Sequence, residues 1–137
     1  MRQFSRPIRI VLAVLYAVGA LIHLYVTLFA PELYEVFVEM ALVEMYRALW
    51  LSYVVPNLDI LLPLVIVFEA GIAVALLWRG RVVTVANVAG GCFQLGLILS
   101  GPWGLLNLGL AGIHFYLARV DFQEPAVRRG EGNSAES

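Results

Sequence analysis

The sequence predicts an all-α membrane protein: an antiparallel bundle of four transmembrane helices, with an amphipathic interfacial helix between spans one and two. Three observations carry this. Of the 137 residues, 61% are hydrophobic and only 14% are charged, against about 25% charged in a soluble domain. Mean hydropathy is +0.85. The apolar residues also fall into four runs that approach the roughly 20 residues of a bilayer crossing, and the runs are separated by proline, glycine and arginine.

Span one is expected over about 8–30. Pro7 suits a helix start, where its missing N–H is not needed, and Pro31 follows the end. The charged and apolar opening resembles a signal peptide, but no A-x-A-like cleavage site follows, so the run reads as an uncleaved span. Residues 32–52 carry four glutamates, with Glu32, Glu35, Glu39, Tyr46 and Arg47 on one broad face at 100° per residue. That pattern predicts an amphipathic helix lying in the interface. Span two is expected over 58–78, after the breaker Pro56–Asn57, with Pro63 in its first turns. The turn Arg79–Gly80–Arg81 then forces an antiparallel hairpin into span three, 82–99. Span four, 103–118, follows Ser100–Gly101–Pro102. These elements form one domain, 1–122. Residues 123–137, rich in Gly, Ser and Glu, read as a disordered cytoplasmic tail.

Arginine placement sets the orientation, since lysine is absent. Four spans put Arg2, Arg6, Arg9, Arg79, Arg81, Arg119, Arg128 and Arg129 on one side and only Arg47 on the other. The positive-inside rule then predicts a multi-pass protein of the cell membrane with both termini in the cytoplasm. Trp50, Tyr53 and Trp103 fall at the outer interface and Trp78 at the inner one. A net charge of −1 without a basic stripe argues against nucleic acid as a partner. The one cysteine, Cys92, cannot form an intramolecular disulfide. It reads as a small buried hydrophobe, and no metal-ligand spacing occurs.

Topology turns sequence positions into depths. At about 1.5 Å per residue, His23 and Gln94 lie roughly 10 Å below the outer surface, Glu69 and His114 roughly 16 Å, and Asn107 roughly 6 Å. Asn107 and His114 share a helix face, and so do Asn87 and Gln94, although Asn87 falls toward the cytoplasmic side. Ionisable residues inside a membrane face the bundle interior and pair with one another. Glu69 with His114 is the expected pair, followed by His23 with Gln94 or Glu69. Together they predict a polar pocket with Glu69 and His114 as its chemical groups and His23, Gln94 and Asn107 as ligand contacts. Arg47 folds over the opening. The glycines at 19, 71, 90, 91, 109 and 112 read as close contacts between helix backbones.

Several short motifs, taken in order, resemble the DoxX-like membrane family, with its DoxD and MauE relatives. They are GALIH (Gly19–His23), the exit APELYEVF (Ala30–Phe37), PLVIVFEAGIAVALL (Pro63–Leu77) with Glu69 and Gly71, and the basic hairpin at 79–81. The resemblance covers about Ile8 to Arg119. It implies a small four-helix membrane protein linked to a redox system, quinone-coupled in several relatives; a quinone-binding reading of this chain takes its electrons from a periplasmic or membrane partner protein. This chain carries one cysteine and no cofactor motif, which sets an electron-transfer role of its own apart from that expectation.

Three functional readings follow, each with lipid around the bundle and a homodimer as an open option. In the first, a quinone-like ligand enters from the bilayer and meets His23, Glu69 and His114, groups that hydrogen-bond oxygens and move protons. In the second, by analogy with the emopamil-binding sterol isomerases, Glu69 and His114 move protons on an apolar substrate. The third is non-catalytic: a structural accessory subunit, or haem b held by His23 and His114, for which a depth difference of roughly 6 Å is awkward.

Overall fold

The structure, a computed structural model, describes residues 2–127, with side chains described from Ser5 onward. It is all-helical: no strand occurs among the described residues. The principal helices are α1 (Arg2–Phe29), α4 (Leu58–Leu77), α5 (Arg81–Gly96) and α6 (Gly104–Leu117). Two short helices, α2 (Leu33–Glu39) and α3 (Glu44–Leu49), lie between α1 and α4. Helix α1 packs along α4, α4 touches α5, and α5 packs along α6. No comparable seam joins α1 to α6. By length and composition, two helical stretches can cross a membrane: Ser5–Phe29 and the continuous run Glu44–Leu77.

The interfacial segment departs from expectation. The single helix expected over 32–52 is broken at residues 40–43. Tertiary contacts decide this, since the local sequence carries no proline or glycine there. The Leu42 N–H donates to the Leu99 carbonyl at 3.0 Å. Gly101, at φ +135°, sits so close to Met40 that a Cβ would meet its carbonyl at 3.0 Å. The elbow thus roofs the turn between α5 and α6. Beyond it the chain stays helical through the expected breaker. Residues Trp50–Val54 widen to a π turn and Val55–Asn57 tighten to a 3₁₀ turn. Such a shift absorbs the N–H that Pro56 lacks. Asn57 Nδ2 donates to the Tyr53 carbonyl at 2.7 Å.

The end of the bundle where α1 begins is a knot around arginine. Arg9, counted from sequence with the cytoplasmic arginines, is 2% exposed. Its Nε donates to the Leu76 carbonyl (2.9 Å), Nη2 to that of Trp78 (2.5 Å) and Nη1 to that of Glu124 (3.4 Å). The guanidinium also lies 4.3 Å over the Phe122 ring. It thereby serves the carbonyls that the end of α4 leaves without helical partners. Arg6 Nε donates to the Ala126 carbonyl at 2.6 Å. These anchors explain why α1 begins at Arg2, ahead of the expected Ile8, and holds Pro7 inside its first turns. They also fix the start of the expected tail: Ala126 is fully buried and donates to Leu77 O. The rest of that tail, from 128, lies outside the described residues.

Helices α5 and α6, at 16 and 14 residues, are shorter than the expected 82–99 and 103–118. Hydrogen-bonded turns over 97–104 take up the difference. Cys92 lies on the exposed face of α5 and is not buried. Gly71, Gly109 and Gly112 meet nothing within 4 Å, so they make no backbone seam in this chain. Gly19, Gly90 and Gly91 are close-packed, but against side chains: Glu69, His114 with Tyr16, and Phe115 respectively.

Candidate functional site

The polar residues do face the interior. On α6 the buried face is Gly104, Asn107, Ala111, His114 and Leu117, and on α5 it includes Asn87, Gly90, Gly91 and Gln94. Glu69 is 6% exposed. These faces enclose a cleft of about 300 Å³. Its polar lining is Tyr16, Glu69, Gln94 and Asn107. Leu12, Leu15, Phe93, Leu97, Leu106 and Leu110 supply the apolar walls. The cleft lies where α1 and α6 fall apart, and its rim residues Leu15 and Leu106 are exposed. It therefore opens sideways.

Of the expected contacts, Glu69, Gln94 and Asn107 line the cleft. His23, His114 and Arg47 do not. Arg47 is half-buried on α3, with no side-chain hydrogen bond or ion pair among the described residues. Asn107 Nδ2 donates to the Leu97 carbonyl at 3.0 Å.

Glu69 and His114 do not pair. The neighbour of Glu69 is His23, with Nε2 3.8 Å from Oε1. The other nitrogen of His23, Nδ1, lies 2.8 Å from the Tyr34 hydroxyl, and the two rings stack. Tyr34 comes from α2, is 3% exposed, and is also hydrogen-bonded to Thr27. Burial pushes its phenol above the ordinary range, with its hydrogen bond to Thr27 opposing and the Glu69 charge adding to the rise. The hydroxyl therefore keeps its proton. Gly19 makes room for the carboxyl, because a Cβ there would lie 2.9 Å from Glu69 Oε1.

The partner of His114 is Asn87. Measured from the turn that joins α5 to α6, Asn87 is about nine residues down one helix and His114 about ten down the other, hence level at about 1.5 Å per residue. Asn87 Nδ2 donates to the Val83 carbonyl at 2.8 Å. Its Oδ1 therefore faces His114 Nδ1 at 3.0 Å and accepts from it. This fixes the tautomer, with the proton on Nδ1 and a bare lone pair on Nε2. Tyr16 meets the His114 ring edge-on, centroids 5.5 Å apart. Its hydroxyl accepts from Gln94 Nε2 at 3.2 Å and donates to the Gly90 carbonyl at 3.3 Å. Gly90 must be small, since a Cβ would sit 2.8 Å from His114 Cε1 and 2.9 Å from the Tyr16 hydroxyl.

Two buried polar atoms remain without a partner among the described residues: Glu69 Oε2 and His114 Nε2. Buried polar groups are nearly always satisfied, and an exception calls for an explanation such as a ligand. No protein-family model matches the chain. No curated protein and no solved structure matches it either. The site is therefore read from its own chemistry.

Sequence reasoning missed Tyr16, Tyr34 and Asn87 as members of the site. The tyrosines sit in apolar surroundings where an aromatic ring reads as packing or as an interface anchor. Asn87 falls, by depth counted from the span ends, away from the expected pocket. A register comparison across the α5–α6 turn, counted from the turn and not from the span ends, finds it.

Proposed function

We propose that this is a four-span protein of the cell membrane, with both termini in the cytoplasm, that binds a lipophilic ligand of the quinone class in the cleft between α1 and α6. Large apolar side chains on the outside of every principal helix support the membrane reading. Leu21, Leu64, Val85 and Leu105 are 64%, 60%, 66% and 85% exposed, a surface that soluble monomers avoid. The short α5–α6 hairpin, roofed by the elbow at 40–43, fits a bundle whose outer end is completed by interfacial helices. The order of motifs shared with the DoxX-like family agrees with this plan.

One observation carries the ligand reading: Glu69 lines a sideways-opening, mostly apolar cleft with one carboxyl oxygen unsatisfied. Cavities of this size with a few convergent polar groups suit small ligands. The residues fit a flat ring bearing oxygens. Glu69 and the Tyr16 hydroxyl are groups that give and take protons, and the Gln94 and Asn107 amides orient. A quinone would supply reversible two-electron, two-proton chemistry there, its electrons exchanged with a separate redox protein. Behind Tyr16, the bare Nε2 of His114 is a base toward which that hydroxyl can turn. The isomerase reading required Glu69 and His114 to act as a pair, and the two groups address different neighbours. Haem ligation draws no support either, since His23 Nε2 faces Glu69 while His114 Nε2 packs beside Gly90 and Tyr16.

The test is purification in lipid nanodiscs followed by mass spectrometry of bound small molecules and titration with a decyl-tailed benzoquinone. A co-purifying quinone, and at least tenfold weaker binding in Glu69→Gln, are expected. Equal binding by wild type and variant overturns the reading.

A further inference from the structure

We propose that Glu69, His23, Tyr34 and Thr27 form a proton wire that joins the cleft to the outer end of the bundle and stops there. Its use for ligand chemistry rests on the cleft reading above. The connection itself is a property of the side chains.

The chain of contacts has one gap, at its inner end. Glu69 Oε1 lies 3.8 Å from His23 Nε2, about 1 Å beyond a charge-assisted hydrogen bond, and a small rotation of the carboxyl closes that gap. His23 Nδ1 is 2.8 Å from the Tyr34 hydroxyl. Tyr34 is bonded to Thr27, which sits half-buried two residues before the end of α1. An imidazole accepts a proton on one nitrogen and releases another from the second. The carboxyl proton of Glu69 moves to Nε2 and the Nδ1 proton moves to the Tyr34 oxygen. The Tyr34 proton passes to the Thr27 oxygen, and the Thr27 hydroxyl, whose own proton rests on the His23 carbonyl at 2.6 Å, turns away from it to release that proton to water. One proton enters and one leaves. No bond between heavy atoms changes, and reorientation of the hydroxyls with a tautomer shift of the ring resets the wire.

The opposite direction is closed. The Tyr16–Gln94 pair ends on the Gly90 carbonyl and the His114–Asn87 pair on that of Val83. Beside it Leu76, Val83 and Leu117 are each fully buried.

The experiment uses the full chain in nanodiscs and infrared spectroscopy. The carboxyl C=O band of Glu69 is identified by its loss in Glu69→Gln, and its deuterium exchange is followed after mixing into D₂O. Tyr34→Phe keeps the ring and removes only the hydroxyl. It is expected to slow exchange at least tenfold, and His23→Phe by as much, while both bind the decyl-tailed benzoquinone within threefold of wild type. Exchange as fast as wild type in both variants overturns the wire, as does finding no band at any pH that Glu69→Gln removes. Failure of the probe to bind any of these proteins defeats the ligand reading instead, and the exchange rates still decide the wire.

Discussion

At the end of the bundle where α1 begins, Arg9 is 2% exposed and three carbonyls and an aromatic face meet its guanidinium. In the middle, Glu69 is 6% exposed, and one of its carboxyl oxygens has no partner while the other has a histidine at 3.8 Å. Both are ionisable groups inside an apolar helical bundle, where an isolated charge is costly. One is fully answered by the backbone ends it joins. The other is left with unspent hydrogen-bonding capacity beside a cavity. Completeness of partnering, rather than burial, separates a group that holds the fold from one available for chemistry.

Mutations can break this contrast. The largest effect is expected from Arg9→Leu, which strips three carbonyls of their donor and frees residues 122–126. A loss of about 3 kcal/mol or more follows from hydrogen bonds to a charged group, read as thermal unfolding in nanodiscs, with faster amide exchange at Gly80 and Ala126. Arg9→Lys should recover only part of it, because an ammonium lacks the planar fork.

Next comes Gly90→Ala. The added methyl must displace His114 or Tyr16, and overpacking of this kind costs roughly 1–3 kcal/mol. Binding of the benzoquinone should weaken along with stability. A variant as stable as wild type would show that the ring has room the geometry denies it. Asn87→Leu should be comparable or smaller. It leaves the His114 Nδ1–H without an acceptor, at about 1–3 kcal/mol, and frees the tautomer, which ¹⁵N chemical shifts of the imidazole would report.

The smallest stability change belongs to Glu69→Gln, within about 1 kcal/mol, since the amide keeps the shape and removes an ionisable group from an apolar site. Its effect should fall on binding. If Glu69→Gln unfolds the protein as Arg9→Leu does, Glu69 is a structural group and the contrast collapses.

The sequence made the helical plan and the inward direction of its polar residues legible, because apolar runs and helix faces follow from local periodicity. Glu69, Gln94 and Asn107 were placed at the cleft on that basis. Partner choice was less legible. His114 went to Asn87 because the register of a hairpin is set by its turn, and the turn over 97–104 took residues from both expected spans. Arg9 counted with the cytoplasmic arginines because its partners are backbone carbonyls, which no residue pattern marks. The break at 40–43 is imposed by Leu99 and Gly101, far along the chain, so local amphipathicity over 32–52 could not reveal it. Arg47 was expected over the pocket from a face shared with the glutamates, and that face is divided by the same break.

On the membrane reading proposed above, a carboxyl group and two histidines in the bundle interior bring the risk of short-circuiting the gradient across the bilayer. The layer of Leu76, Val83 and Leu117, each with no exposed surface and packed with Leu12 and Ile72 in one cluster, is the insulation against this. On the membrane reading it divides the bundle into a half that exchanges protons with the outside and a half that conducts nothing. On that reading a charge reaching Glu69 crosses only part of the potential.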